Sequence, residues 1–214
     1  MTVFRGTAGK VRAPVFGHEI AIEFQVAETF SGTSLQKTVE VRTPSGMTAC
    51  GYGFLQGREY LVFASKANGA YHTNACTSTR PLVTASAWIR LLRAIRDKGP
   101  IPALFGFTGT VPYPGWPHAS ANGRMIYPEA VGQVALQAID RNAKIAPVVS
   151  RADGSFEFGP LPQRKYEVRV TAPNEYRIWF HDSVTISRTL NIEPGQSCEL
   201  DVLLYRKSDR PDVR

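Results

Sequence analysis

Apolar residues that recur at every second position constrain the fold of this chain more than any other feature of its sequence. The clearest runs with this period are residues 20–26, 39–41 and 166–170. Successive side chains of a β-strand point to opposite faces, so each run predicts a strand with one apolar face. Residues 60–64 are continuously apolar, which predicts a strand that is buried on both faces or lies across a barrel interior. The pattern as a whole predicts an all-β fold.

Turn-forming dipeptides separate the predicted strands. Asn68-Gly69 has the composition of a hairpin turn, and Asp153-Gly154 forms a turn between residues 148–149 and 156–158. Short strands joined by turns at such spacing are typical of sandwiches and barrels.

The length of the chain, 214 residues, suits two domains of about 100 residues each. The stretch Gly-Pro-Ile-Pro at 99–102 has the composition of a linker. We therefore expect a first domain over residues 1–98, a β-sandwich of about seven strands over 103–206, and a charged tail over 207–214.

One segment has helical periodicity instead. Its apolar residues at helical spacing are Ala85, Trp88, Leu92 and Ile95. Ser86 lies near the predicted start, and residues 98–100 supply the stop signal. The outer face carries Arg90, Arg93 and Arg96. These arginines form either the solvated face of an amphipathic helix or a basic binding surface.

The net charge of +7 is concentrated in the first hundred residues, which hold twelve Lys or Arg against six Asp or Glu. This half suits nucleic acid, acidic polysaccharide or an anionic membrane surface as a partner, or it is an ordinary surface with a few extra cations. No stretch approaches the roughly 18 apolar residues of a transmembrane helix. Residues 1–6 lack the basic and apolar regions of a signal peptide, and strand-like residues begin at position 3, so we expect an upstream segment to be missing.

Three stretches of the first half resemble the netrin-like module shared by tissue inhibitors of metalloproteinases and bacterial relatives. They are CGYGF at 50–54, GREYLVFA at 57–64 and TNACTSTRPL at 73–82. The resemblance covers roughly residues 2–96 and implies a five-stranded OB-type barrel with a flanking helix.

The second half resembles the carboxypeptidase regulatory-like domain, a transthyretin-like sandwich often attached to secreted or surface proteins. The resemblance depends on ADGSFEF at 152–158, Leu161-Pro162 and YEVRV at 166–170, and it covers roughly residues 103–206. The glycine that usually precedes the tyrosine of this motif is absent, and residues 163–165 are Gln-Arg-Lys, which implies a longer or differently shaped turn.

The chain has three cysteines, Cys50, Cys76 and Cys198. In netrin-like modules, the positions that match Cys50 and Cys76 bond to an N-terminal Cys-x-Cys pair, which this sequence lacks. The pair lies upstream of the given sequence, or Cys50 and Cys76 bond to each other, or they are buried thiols. We expect Cys198 to be a strand residue of the sandwich.

The resemblance bears on metalloproteinase inhibition through the same missing pair. In the inhibitors of this family, the first cysteine chelates the zinc ion of the target through its α-amino group and carbonyl. Inhibition is therefore expected only if an N-terminal Cys-x-Cys segment is missing from the sequence.

Motifs of the common catalytic and metal sites are not found. The sequence has no Gly-x-Ser-x-Gly elbow, and its four histidines do not form a His-x-x-x-His pair. The acidic residues do not pair in a pattern that indicates general acid and base catalysis. We therefore predict a protein that is not an enzyme and has no cofactor and no metal ion.

The sequence predicts a binding or adaptor protein of the bacterial cell surface or periplasm that contacts protein or glycan through loops. The candidate loop carries Tyr113, Trp116 and His118, because amphipathic rings on loops commonly anchor partners. The alternative is that this loop folds back over its own sandwich.

A second hypothesis is single-stranded nucleic-acid binding by the barrel, since OB-type barrels bind bases on aromatic rings in a basic groove. The residues that would form this groove are Arg5, Lys10, Arg12, Arg42, Arg58, Tyr52 and Phe54. The netrin-like resemblance, however, places Phe54, Tyr60 and Phe63 in the core, which weakens this hypothesis.

Overall fold

The structure is a computed structural model of the whole chain. It describes residues 1–12, 19–32, 36–45, 50–111, 128–140, 145–162, 164–179, 181, 183–193 and 196–209. These residues divide into two compact units, Met1–Ala85 and Ser86–Arg214. Strands dominate both units, as the sequence predicts.

The described residues of the first unit form six strands and a 3₁₀ turn over Leu82–Thr84. The strands are β1 (Thr2–Arg12), β2 (Glu19–Ser31), β3 (Thr38–Pro44), β4 (Glu59–Ala67), β5 (Ala70–His72) and β6 (Arg80–Pro81). They follow the order β1-β2-β3-β5-β4-β6, and β4 also pairs with β1, which closes a five-stranded barrel. The β3–β5 pair is parallel and the other pairs are antiparallel. The predicted OB-type barrel is therefore confirmed.

Strand β1 closes the barrel because it pairs with β2 on one edge and with β4 on the other. Register shifts interrupt its pairing with β2, one of them between Arg5 and Gly6. Such irregularities bend and twist a strand. Gly6 is required at this bend, since a Cβ atom there would lie 2.8 Å from the Gln25 carbonyl oxygen.

Aromatic rings fill the barrel. Phe4, Phe24 and Tyr60 are fully buried, and the ring of Phe24 meets the other two edge to face at 5.7 and 6.3 Å. The Tyr60 hydroxyl accepts a hydrogen bond from the Leu55 N–H at 2.8 Å, which satisfies its polar end. Residues 60–64 are all buried, as their continuous apolar run predicts.

The Asn68-Gly69 turn has the predicted conformation. Ala67 pairs with Ala70 across it, and Asn68 and Gly69 have φ angles of 51° and 80°. Positive φ at both central residues defines the type I′ hairpin turn, which favours this dipeptide.

The second unit contains one helix, ten strands and a 3₁₀ turn over Lys207–Asp209 among its described residues. The elements are α1 (Ser86–Arg96), β7 (Leu104–Thr110), β8 (Glu129–Ala130), β9 (Ala135–Ile139), β10 (Val148–Val149), β11 (Ser155–Phe158), β12 (Lys165–Thr171), β13 (Tyr176–Ile178), β14 (Thr185–Asn191), β15 (Cys198–Glu199) and β16 (Val202–Arg206).

The ten strands form a β-sandwich. One sheet has the order β10-β9-β12-β14, and the other has the order β11-β7-β16-β13, with β8 and β15 also paired to β7. Seven of the strands have three or more residues, which is the predicted number, and β8, β10 and β15 are two-residue additions. In β12, Tyr166, Val168 and Val170 are fully buried and alternate with the exposed Glu167 and Arg169, as predicted.

Helix α1 belongs to the second unit. Ala87 and Leu91 form a buried cluster with Phe105 of β7, and the Trp88 ring meets Phe105 edge to face at 5.0 Å. The compact units consequently divide before the helix and not at residues 99–102. The predicted apolar face is wrong at its end, because Ile95 is 52% exposed.

No helix among the described residues has the length and apolar character needed to cross a membrane.

Candidate binding cleft

A concave site of about 190 Å³ opens on the second unit. Its polar lining comes from Trp179, His181, Arg188 and Asp201, and its apolar lining includes Ile178, Ile186, Leu200 and Val202. We refer to this site as the Trp179 cleft. Sequence analysis did not predict it.

The floor of the Trp179 cleft is part of the sandwich core. Ile178, Leu200 and Val202 are 3–4% exposed and belong to the main hydrophobic cluster of this unit. Ile186 is partly buried and packs against the same cluster. The floor is therefore rigid and aliphatic.

Backbone and ring contacts hold Trp179 in place at the edge of the cleft. Its backbone N–H donates to the Leu203 carbonyl at 2.8 Å, and its indole meets the Tyr205 ring edge to face at 5.9 Å. These contacts fix the segment after β13 against β16. An amphipathic ring thus lies beside the aliphatic floor.

Charged groups of both signs line the cleft. The Asp201 carboxylate accepts a hydrogen bond from the Phe107 N–H at 3.1 Å, which orients it. Arg188 is exposed and has no ion-pair partner within the described ranges. His181 is also exposed, and its backbone N–H donates to the Ile178 carbonyl at 3.2 Å.

The sequence around Arg188 in β14 contains one sign of this site. Ile186 and Leu190 pack against the core, so the side chain two positions from each lies on the same face of the strand. A cation at an inward-facing position interrupts the apolar alternation. Arg188 is exposed, and this interruption was the one indication in the sequence that the core does not cover the strand at this position.

Strand β14 also forms the edge of its sheet. It pairs with β12 over all seven residues, Thr185–Asn191, and no described residue pairs with its other side. The unpaired backbone groups of an edge strand are available to another chain. The Trp179 cleft therefore lies beside an open sheet edge.

The predicted loop of Tyr113, Trp116 and His118 lies outside the described residues. Its role as a partner contact stays a prediction.

The predicted basic face of α1 does not include Arg90. This side chain is 33% exposed and lies 3.6 Å from Asp153 and 3.7 Å from Glu157, between the helix and the β11 hairpin. Arg93 and Arg96 are exposed, and Arg96 pairs with Asp97 at 2.9 Å. Because α1 packs on the sandwich, Arg90 points toward the acidic residues there and not toward solvent.

The alternative of buried thiols is wrong for Cys50 and Cys76, which are both exposed and unpaired in the structure. Cys50 lies between β3 and β4, and Cys76 lies between β5 and β6, so both are outside the strands of the barrel. The Ala75 N–H donates to the Cys50 carbonyl at 3.0 Å, so the two cysteine segments are neighbours. Cys198 begins β15, as predicted.

Most of the cations that were predicted to line a nucleic-acid groove are paired with glutamates, which weakens that hypothesis. Three of its five cations face a glutamate: Arg5 with Glu59 at 2.8 Å, Arg12 with Glu23 at 3.6 Å, and Arg42 with Glu40 at 3.3 Å. The two proposed stacking rings are also unavailable as a free platform.

Both of those rings contact the barrel interior. Phe54 is 7% exposed and packs edge to face on Tyr60 at 4.9 Å. Tyr52 lies against Phe54 at 4.6 Å, and burial, with Tyr60 beside it, raises the pKa of the Tyr52 hydroxyl above its usual value. Phe54 therefore belongs to the core, as the netrin-like resemblance implies, and Tyr52 packs against it.

Among the residues that the structure describes, no three His, Cys, Asp or Glu side chains form a group that could hold a metal ion. Comparison of the sequence with protein-family models and with curated proteins finds no match.

Proposed function

We propose that this chain is a non-catalytic binding or adaptor protein that holds a protein partner at the Trp179 cleft. The observation that carries the proposal is the combination of a rigid aliphatic floor with Trp179 and a charged rim. Protein interfaces place an apolar anchor in such a pocket and surround it with polar contacts.

The size of the cleft favours one anchoring group. Its volume of about 190 Å³ is smaller than the 300–1,000 Å³ typical of drug-sized ligand sites. One apolar side chain of a partner protein matches this space. Arg188 and Asp201 at the rim then select partner groups of opposite charge.

A glycan is the second candidate ligand, because a sugar ring can stack on the Trp179 indole. The floor favours a protein side chain instead. It consists of Ile178, Leu200 and Val202, which offer aliphatic surface and no hydrogen-bonding side chain toward a sugar.

We further propose that the barrel is a netrin-like module and the sandwich a carboxypeptidase regulatory-like module, located at the bacterial cell surface or in the periplasm. The order β1-β2-β3-β5-β4 of the closed barrel and the two-sheet sandwich support the pair of modules. The location follows from the resemblance to modules of secreted and surface proteins.

Two alternatives are weaker. Single-stranded nucleic-acid binding lacks support from the barrel, where three predicted cations are paired and Phe54 is in the core. Metalloproteinase inhibition stays conditional on a Cys-x-Cys segment upstream of the given sequence.

The test screens the purified chain for binding against a displayed library of random peptides and, in parallel, against a glycan array. We expect the chain to select peptides that combine an apolar residue with an acidic one. Trp179→Ala and Arg188→Glu should each weaken a selected peptide roughly tenfold, the effect of losing an interface anchor. Circular dichroism and the unfolding midpoint verify that each variant is folded.

The matched control is Arg169→Glu. Arg169 is exposed on β12 and lies 3.9 Å from Glu167, away from the cleft lining, so this variant makes the same charge change elsewhere on the same sheet. Binding should survive it. Selection of glycans alone, or of peptides that bind the Trp179→Ala and Arg188→Glu variants as well as the parent chain, would contradict the proposal.

A further inference from the structure

We propose that the partner contributes an extended acidic segment that adds to the open edge of β14 and places a carboxylate at Arg188. This inference deepens the proposed function and rests on it. It is carried by three features of β14: the direction of its free backbone groups, the face that borders the cleft, and the charge of Arg188.

The hydrogen bonds at the two ends of the β12–β14 pair fix the direction of every backbone group in β14. The Ala172 N–H donates to the Val184 carbonyl at 2.8 Å, and the Ile192 N–H donates to the Arg164 carbonyl at 3.0 Å. In an antiparallel pair, hydrogen-bonded positions alternate along the strand. Because the register between these ends has no shift, even-numbered residues of β14 bond to β12. The backbone groups of Thr185, Ser187, Thr189 and Asn191 therefore point to the open edge. Those at the two ends are already engaged: both backbone groups of Thr185 bond to the Ser183 hydroxyl, and the Asn191 carbonyl accepts from the Cys198 thiol. Ser187 and Thr189, in the middle of the strand, therefore present the backbone groups that an added strand would use.

The side chains of β14 divide in the same alternating way. Ile186 and Arg188 line the Trp179 cleft, whereas Thr185, Ser187 and Thr189 are exposed on the other face. A strand added beside β14 would continue the sheet, so every second side chain of that strand would lie on the side of the cleft. Main-chain hydrogen bonds would supply affinity, and the cleft would supply selectivity for the inward side chains.

The charge of Arg188 defines the chemistry of the partner. Arg188 has no ion-pair partner within the described ranges, and guanidinium groups bind carboxylates in a two-pronged geometry. An inward-facing aspartate or glutamate on the added strand would meet this cation.

The same charge disfavours a second copy of this chain as the partner. In an antiparallel pairing of two β14 strands, the inward-facing Arg188 residues would be brought together, and like charges on paired strands repel. Inward-pointing charges are one way in which natural edge strands avoid self-association. The edge is thus selective for a strand of opposite charge.

The probe is a synthetic peptide of the length of β14, with alternating threonine and valine and with one central valine replaced by glutamate. We expect it to bind the full chain, and we expect Arg188→Glu to weaken it roughly tenfold. Replacement of the peptide glutamate with lysine should restore binding to the Arg188→Glu chain. No binding of the original peptide at roughly 1 mM would overturn the proposal.

Proline substitutions test the backbone contacts. Ser187→Pro and Thr189→Pro each remove an N–H that points to the open edge and leave the hydrogen bonds to β12 in place. We expect both to weaken the peptide roughly tenfold or more, whereas Ser187→Ala and Thr189→Ala should leave its affinity unchanged. Hydrogen exchange adds a second readout: the amides of Ser187 and Thr189 should gain protection when the peptide binds, and those of Ile186 and Arg188 should already be slow.

The outcomes separate this inference from the proposed function. Binding that depends on Trp179 but is unaffected by the prolines would overturn strand addition and leave the cleft as a binding site. Binding that depends on neither would overturn both. A concentration-dependent dimer that the prolines abolish would assign the edge to a second copy of this chain and overturn the acidic partner.

Discussion

The indole N–H of Trp88 donates a hydrogen bond to the Glu199 carboxylate at 2.6 Å, which joins helix α1 to strand β15. The two residues are 111 positions apart in the sequence. Together with the contact of the Trp88 ring with Phe105, this bond attaches the helix to the sandwich.

Trp88→Ala should lower the free energy of unfolding by about 3 kcal/mol, because it removes both a large packed ring and the bond to Glu199. Trp88→Phe keeps a ring against Phe105 and should cost only about 1 kcal/mol. Denaturant unfolding measures both. Ile95→Ala is the control, since Ile95 is 52% exposed and its loss should change stability by no more than about 0.5 kcal/mol. Equal effects of Trp88→Ala and Ile95→Ala would show that the helix is not attached in this way.

Arg164→Ala should destabilise the sandwich by about 3 kcal/mol. Its guanidinium lies 2.8 Å from the carboxylate of Asp140, whose side chain is only 6% exposed. Arg164→Ala takes this close counter-ion away from a nearly buried carboxylate, and such a loss costs more than the pair itself contributes. Thermal and denaturant unfolding of Arg164→Ala, Asp140→Asn and the double variant provide the measurement. If the two single effects simply add, the pair is not coupled and the prediction is wrong.

The stability of the second unit should fall at acidic pH through Asp153. Partial burial acts to raise the pKa of this carboxyl, but hydrogen bonds from Ser155 and Ser86 and the charge of Arg90 outweigh it and lower the pKa. Because the folded pKa lies below the unfolded value of about 3.9, the carboxylate stabilises the fold above that value. This contribution is lost as the pH falls through the folded pKa.

The measurement for Asp153 compares the parent chain with Asp153→Asn across the acidic range. The variant should be less stable at neutral pH, and the difference should shrink as the pH falls. A difference that stays constant down to the acid transition would contradict the role of the Asp153 carboxylate.

Cys50 and Cys76 should react with iodoacetamide in the folded chain faster than Cys198 does. The first two are exposed, whereas Cys198 is half-buried with its Sγ 3.5 Å from the Asn191 carbonyl oxygen. Accessibility of the thiol governs such reactions when the thiols are otherwise similar. Peptide mapping by mass spectrometry after short exposures gives the order, and unfolded chain, in which all three should react alike, is the control. Detection of Cys198 as the fastest site would refute the assignment.

The local elements of this fold could be predicted because their signals are local. The period of two in residues 166–170 matches a strand that is buried on one face, and Asn68-Gly69 forms the turn that its backbone preferences favour. Which residues of α1 are buried could not be predicted in the same way. Its buried residues are Ala87, Ile89 and Leu91, and their burial depends on where Phe105 and the sandwich lie.

The Trp179 cleft was harder to predict for the same reason. Its lining comes from the end of β13, the middle of β14 and the segment before β16, which only the folded topology brings together. Arg188, between Ile186 and Leu190, was the one local sign. From the sequence alone, a charged residue at that place is equally consistent with a strand end or a surface position.

The parallel pairing of β7 with β16 has a consequence for how the protein is made. Val202 lies beside Thr108, so β7, the first strand of the sandwich, pairs with β16, the last strand of the described chain. During synthesis from the N-terminus, that side of β7 stays open until the final strand has left the ribosome. Long-range pairing of this kind slows folding. The barrel, whose fifth strand ends at His72, can form well before the sandwich is complete.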